Sequence, residues 1–294
     1  MPVTPMSKIL SFRTAKSLSP GAPKPRGARS AVTVAAGIVL LFWLVMALIG
    51  PWVVPHDPAA VLDGAPYGGM SAATLFGTDV LGRDVFSRVM AGTQVTVGVA
   101  LAATCVAVLL GGALGMFAAV LGGAVDIVLS RFFDAVVSLP VLLIGLISVA
   151  ALGSSVPVLI GTAGFIYMPG SYRIWRSLAA DVHATDFIRA ARGRGEGLLY
   201  LVFREILPNI ARPAAADFGL RFVFVVLLIS SLGFLGLGIQ PPQADWGSLV
   251  KENMSGLMFG APAVIWPALA LATLTIAVNM LVDGWKRKGA EHHE

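Results

Sequence analysis

Long apolar runs free of charge, separated by polar segments of unequal length, dominate this 294-residue sequence. A helix needs about 20 mostly apolar residues to cross the hydrocarbon layer of a bilayer. Ala31 to Val53 meets that length without a charge and closes with Trp52, an aromatic suited to an interface. Val95 to Leu121 is a second charge-free run, and Val136 to Leu152 a third, entered past Arg131 and Asp134. Val156 to Tyr172 is shorter and carries Gly161, Gly164 and Pro169. Pro213 to Ile239 and Ala261 to Val282 follow. The pattern predicts an all-α integral membrane protein of about six transmembrane helices (31–53, 95–121, 136–152, 156–172, 213–239, 261–282). These fill one membrane domain over 31–285. A basic tail over 1–30, expected to be disordered, precedes it, and a short tail over 286–294 ends the chain.

Composition agrees: 56% of residues are hydrophobic and 13% charged, where a soluble domain carries about 25% charged residues. That leaves too little polar surface for a water-soluble globule. The net charge of +5 raises nucleic acid as a partner. The basic residues lie between apolar runs rather than along a stripe, so orientation in membrane lipid explains them better. With the N-terminal tail inside, six spans also place 173–212 and the C-terminal end inside. These segments hold six, seven and three of the 21 Lys and Arg, respectively. Only Arg83, Arg88 and Lys251 then fall outside, a positive-inside pattern with both termini cytoplasmic. Without the fourth span the seven-Arg loop would lie outside. The tail does not read as a cleavable signal peptide: it is long, and the apolar run after it is about twice a signal-core length. The single cysteine, Cys105, sits in an apolar run and excludes an internal disulfide.

Two features sit inside spans. Asp217 and Arg221, four residues apart near the start of the fifth span, share a helix face and can pair. They line a path or, as preferred here, neutralise each other near the cytoplasmic boundary. Gly111 and Gly115, with Gly112 beside them, form a GxxxG spacing that lets helix backbones approach closely.

The loop over 173–212 is more than a tether. Arg173 and Arg176 extend the fourth helix inward. Asp186 is expected to cap a short helix holding Phe187, Ile188, Ala190 and Ala191. Gly193, Gly195 and Gly197 then interrupt it. Leu198, Leu199, Leu201, Val202, Ile206 and Leu207 follow at helical spacing, before Pro208 and Pro213 are expected to redirect the chain. Two short helices at a glycine elbow suit a groove on another protein; an interfacial linker on anionic headgroups is the alternative.

This loop resembles the EAA loop of ABC-importer permeases, with Ala190, Ala191, Gly195, Leu207 and Pro208 in the motif places and Arg189 where the pattern has Glu. Phe76 to Gly92 (FGTDVLGRDVFSRVMAG) and Leu232 to Val250 (LGFLGLGIQPPQADWGSLV) resemble segments of the dipeptide, oligopeptide and nickel permeases. Gly233 replaces a usual Ser. The resemblance covers roughly residues 31–285. It implies an ATPase-docking role for Phe187, Arg189, Ala190, Ala191, Gly195, Leu207 and Pro208. It also implies a periplasmic structural cap from Gly77, Thr78, Asp79, Gly82, Arg83 and Asp84. From the residues themselves, Gly77 and Gly82 permit tight turns, Asp79 or Thr78 accepts backbone hydrogen bonds, and Asp84 and Arg88 form an i,i+4 pair. Gly233, Gly236 and Gly238 read as packing residues, Pro241 and Pro242 as helix terminators, and Trp246 as an interface aromatic.

No G-x-x-x-x-G-K-[ST], HExxH or GxSxG is present, and the four His stand at 56, 183, 292 and 293. The chain is therefore read as a non-enzyme without its own cofactor or metal. By resemblance it is an ABC-importer permease of a bacterial inner membrane. ATP and magnesium would bind two separate ATPase subunits, a second permease would complete the path, and a periplasmic binding protein would deliver the solute. Di- or oligopeptides fit best, with nickel chelates, glutathione-like peptides and opines as options. A secondary transporter without an ATPase partner, or a membrane anchor, is the rival reading.

Overall fold

The computed structural model describes residues 26–62 and 65–290, with side chains from Ala31 to Trp285. The tail over 1–25 and the last four residues lie outside the described residues. Ten α-helices carry the described chain: α1 (Arg26–Val53), α2 (Val85–Leu121), α3 (Gly123–Val137), α4 (Val141–Leu152), α5 (Val156–His183), α6 (Asp186–Gly193), α7 (Leu198–Tyr200), α8 (Leu207–Phe234), α9 (Trp246–Asn253) and α10 (Ile265–Ala290). Among the described residues the only β pairing is two isolated bridges. Residues 26–30 and 286–290, expected in the tails, thus belong to α1 and α10.

The central seam joins α2 to α5. A Cβ added at Gly111 would stand 2.5 Å from the Met168 carbonyl oxygen, and one at Gly115 2.5 Å from that of Tyr172. The Trp175 ring covers Gly112, and Gly164 of α5 meets Val106 in return. The GxxxG spacing therefore serves backbone-to-backbone packing, the means by which helices associate where lipid is as apolar as the side chains. The partners rise together along both helices, so α2 and α5 run parallel. Parallel neighbours need a return between them, and α3 with α4 supplies it.

That return is not one straight helix over 136–152, as the hydropathy suggested. It breaks at Ser138–Pro140, with an 85° bend between α3 and α4. Pro140 lacks an N–H and disfavours helical backbone at Leu139, so α3 ends and α4 starts from Pro140 as its N-cap. Three polar links hold α3 along α5. The Arg176 guanidinium pairs with both oxygens of Asp126, Ser130 Oγ meets Tyr172 Oη at 2.9 Å, and Arg173 Nη2 reaches Asp134 at 2.6 Å. Asp126, Ser130 and Asp134 recur every four residues, one helix stripe.

α7, a π-helical turn (Leu201–Ile206) and α8 form one apolar rod, Leu198–Phe234. At 1.5 Å per residue it is about 55 Å long. Pro208 and Pro213 do not redirect it. Pro208 lies in the first turn of α8, and Pro213 is accommodated inside it. Pro241 and Pro242 do not end the rod either: it stops at Phe234, and Gly236 turns the chain at φ 85°. Asp217 and Arg221 consequently stand mid-helix in α8 rather than at its start.

Four described helices are long and apolar enough to cross a membrane, five if the bent α3–α4 pair is one span. α5 falls short because Pro169, Tyr172 and Arg173 dilute its second half, yet its Leu159, Ala163 and Ile166 are buried by neighbouring helices. A helix sheltered by protein needs less hydropathy than one bathed in lipid.

Gly115→Ala is expected to cost about 1–3 kcal/mol by overpacking the seam. Gly161→Ala, with nothing within 4 Å of the new methyl, should be neutral or stabilising by up to about 1 kcal/mol. Thermal melting of the detergent-solubilised protein reads both; equal midpoints would remove the seam argument.

Candidate functional site

The elbow forms because its two arms share a buried face. Ile188 and Ala191 of α6 are almost fully buried against Leu201, Val202 and Ile206 of the rod, in one cluster with Met116 and Val120 of α2 and Trp175 and Ala179 of α5. The turn between the arms closes as a glycine C-cap. The Arg194 and Gly195 amides donate to the Ala190 and Arg192 carbonyls at 3.1 and 2.9 Å, and Glu196 N reaches Ala191 O at 3.3 Å. Gly195 holds φ 83°, where a side chain is strained. Gly193 and Gly197 have ordinary φ and open surroundings. Arg192 Nη2 donates to the Val120 carbonyl at 3.1 Å, tying the elbow to the end of α2. Beside it, burial and then the Arg192 charge lower the His183 pKa, so the imidazole stays neutral near pH 7.

Thr185, not Asp186, occupies the N-cap of α6. Its hydroxyl donates back to Val182 O at 2.6 Å, while Asp186 sits in the first turn and pairs with Arg189 at 3.1 Å on the exposed face. The outward face consists of Phe187, Arg189, Ala190 and Gly195, continued by Leu199, Tyr200 and Phe203 on the rod. Of the predicted set, Phe187, Arg189, Ala190, Gly195 and Pro208 are exposed, Leu207 half-buried and Ala191 buried inside the chain. Ala191 is therefore part of the elbow's own packing and cannot meet a partner. The exposed aromatic Phe203, beside Tyr200, was missed; an apolar residue on the polar side of an amphipathic arm was the available signal.

At the opposite end of the bundle, the segment before α2 folds on a buried charge cluster. Asp79 is fully buried. Its Oδ1 accepts from the Leu81 and Arg83 amides, both at 2.9 Å, and its Oδ2 from Arg83 Nε at 2.7 Å and Arg88 Nη1 at 2.6 Å. Glu252 of α9 joins both arginines, at 2.9 and 2.6 Å. Two acids and two guanidiniums leave the cluster neutral, which burial requires. Arg88 does not pair with Asp84. Asp84 is instead the N-cap of α2, accepting from the Phe86 and Ser87 amides and from Ser87 Oγ at 2.6 Å. Thr78 Oγ1 accepts from Gly68 N at 2.7 Å and donates to Ala65 O at 2.8 Å. Gly77 and Gly82 adopt φ 74° and 78°. Glu252 was not found in the sequence, because 169 residues separate it from Arg83.

The glycine-rich segment after α8 cradles a second acid. Asp245, fully buried, caps α9 through the Gly247 and Ser248 amides, and its carboxylate occupies the space a Cβ would fill at Gly233 or Gly238. Trp246 is not an interface aromatic. It is fully buried, donating from Nε1 to Val89 O at 2.9 Å and from its amide to Thr96 Oγ1 at 3.0 Å. Among the described residues no group of His, Cys, Asp and Glu could hold a metal ion.

Residues 111–288 match the family model described as "binding-protein-dependent transport system inner membrane component". The chain is 31% identical over 255 residues to a probable D,D-dipeptide transport system permease protein of Escherichia coli (strain K12), covering 87% of this chain and 86% of that one. It is 30% identical over 257 residues to a glutathione transport system permease protein of Pectobacterium atrosepticum, covering 87% and 85%. A dipeptide transport system permease protein of Haemophilus influenzae is 30% identical over 256 residues, covering 84% and 87%.

Asp79→Ala is expected to cost about 3–5 kcal/mol, because it leaves two guanidiniums to share the one Glu252 carboxylate and gives the buried cluster a net positive charge. Glu252→Gln, at a partly exposed site, should cost distinctly less. Unfolding of the solubilised protein compares them; a tolerated Asp79→Ala would show the cluster is not holding this end together.

Proposed function

The chain belongs to the binding-protein-dependent transport system inner membrane components, and from that premise we propose that the elbow is the point where an ATPase chain drives it. The observation that carries this is mechanical. α6 is packed onto the same rod that continues as the apolar helix α8, and it is tied to the ends of α2 and α5. A displacement of the elbow therefore moves three helices together. The exposed apolar face of Phe187, Leu199, Tyr200 and Phe203, bordered by Arg189, suits a groove on a soluble partner.

In this reading the seven-Arg loop faces the cytoplasm with both termini, and the Asp79 cluster faces outward. The chain then crosses six times, with α5 as a sheltered fourth span and the α3–α4 pair as a broken third. A second permease subunit completes the path, two ATPase subunits bind ATP and magnesium below, and a binding protein delivers solute above. The transport names of the relatives support short peptides as the solute class.

Phe187→Asp changes the outward face and leaves the α6 packing intact. An ATPase encoded with this chain should co-purify with the wild type and be lost with Phe187→Asp, with uptake falling at least about 10-fold, the equivalent of 1.4 kcal/mol of docking. Uptake that persists without the ATPase would favour a secondary transporter. Full ATPase recovery with Phe187→Asp would remove the elbow from the docking surface.

A further inference from the structure

Midway along α8, Arg221 is held on one edge only. Its Nε donates to Asp217 Oδ1 at 3.1 Å, and Asp217 Oδ2 takes Trp175 Nε1 at 3.2 Å. The guanidinium lies flat over Gly170 of α5, where a Cβ would stand 2.5 Å from its Cζ. Among the described residues Nη1 and Nη2 donate no hydrogen bond, yet neither is enclosed by the chain. Tyr167 of α5 and Phe224 of α8 stack beside them, 6.1 Å apart at 17°, and Arg221 Cζ stands 5.9 Å from the Phe224 ring centre. Phe224 is 44% exposed.

Paired donors facing hydrocarbon at mid-helix would be left without acceptors, so this edge faces water or a polar occupant. Asp217 uses Nε, leaving the end-on fork of Nη1 and Nη2. That fork matches the two oxygens of a carboxylate and is further favoured by a residual positive edge beside aromatic faces. We propose that Arg221, backed by Gly170 and flanked by Tyr167 and Phe224, is a carboxylate-binding station on the solute path, taking the terminal carboxylate of a short peptide. This rests on the importer reading above. Trp175 and Gly170 place the station on the α5–α8 pair that also carries the elbow, so movement of the elbow repositions the fork during transport.

The test uses the assembled transporter with Cys105→Ser and Phe224→Cys, labelled by an anionic and a cationic methanethiosulfonate of similar size. After normalisation to free thiol, the anionic reagent should react at least about 10-fold faster than the cationic one, as a local positive field concentrates anions. Adding Asp217→Asn with Arg221→Gln, which removes both charges together, should bring the ratio to about 1 by abolishing that field. Trialanine should slow labelling and trialanine amide should not. Tyr167→Cys gives an independent second reporter if Phe224→Cys fails to assemble. A thiol unreactive to both reagents, covered by lipid or by the second subunit, overturns the proposal. So does an anion preference that survives the double neutralisation, or equal slowing by acid and amide. Uptake in the same cells separates the two readings: ATPase-dependent uptake with an unreactive thiol sinks the station alone, whereas absent uptake counts against the importer.

Discussion

The parallel contact of α2 with α5 is the constraint from which the rest of the architecture follows. Gly111, Gly112 and Gly115 remove the side chains that would hold the two backbones apart, and Trp175 fills the space above Gly112. In lipid no hydrophobic gain drives helices together, so close van der Waals contact has to supply the attraction. Parallel neighbours close in sequence require the chain to travel back between them. The 34 positions between Leu121 and Val156 do this as two helices bent at Pro140, clamped to α5 by Asp126, Ser130 and Asp134.

The ion pairs lie at the two ends of this bundle and once at its middle, and each set is internally neutral. Asp79, Arg83, Arg88 and Glu252 balance at one end, Asp126 pairs with Arg176 toward the other, and Asp217 pairs with Arg221 between them. An unpaired buried charge loses its hydration without replacement, whereas a paired and hydrogen-bonded one recovers part of that loss. The clusters also join segments far apart in sequence, so they fix orientation as well as charge. In the mid-helix pair each oxygen of the acid accepts one bond, from Trp175 and from Arg221, while Nη1 and Nη2 of the guanidinium stay unbonded within the described chain.

The elbow is continuous with the apolar helices, with no hinge between α7 and α8. The π turn at Leu201–Ile206 carries the helix through Pro208 without a break, because it shifts the hydrogen-bond register just where proline has no donor. Ile188 and Ala191 then lock α6 to the rod, and Gly195 supplies the left-handed turn between them.

Membrane residence, the apolar helices and the glycine elbow were legible in the sequence, because each depends on local composition or on spacing along one helix. So were the GxxxG seam and the Asp217–Arg221 pair. Local logic failed wherever a side chain had a choice of distant partners. Asp84 turned to cap α2 and left Arg88 to Asp79 and Glu252. Trp246 went to the core because Thr96 and the Val89 carbonyl could satisfy its donors there. Gly233 and Gly238 do pack closely, but what they make room for is the Asp245 carboxylate. Spacing determines which residues share a face; only the folded chain decides what that face meets, since burial energy and hydrogen-bond satisfaction are properties of the neighbours.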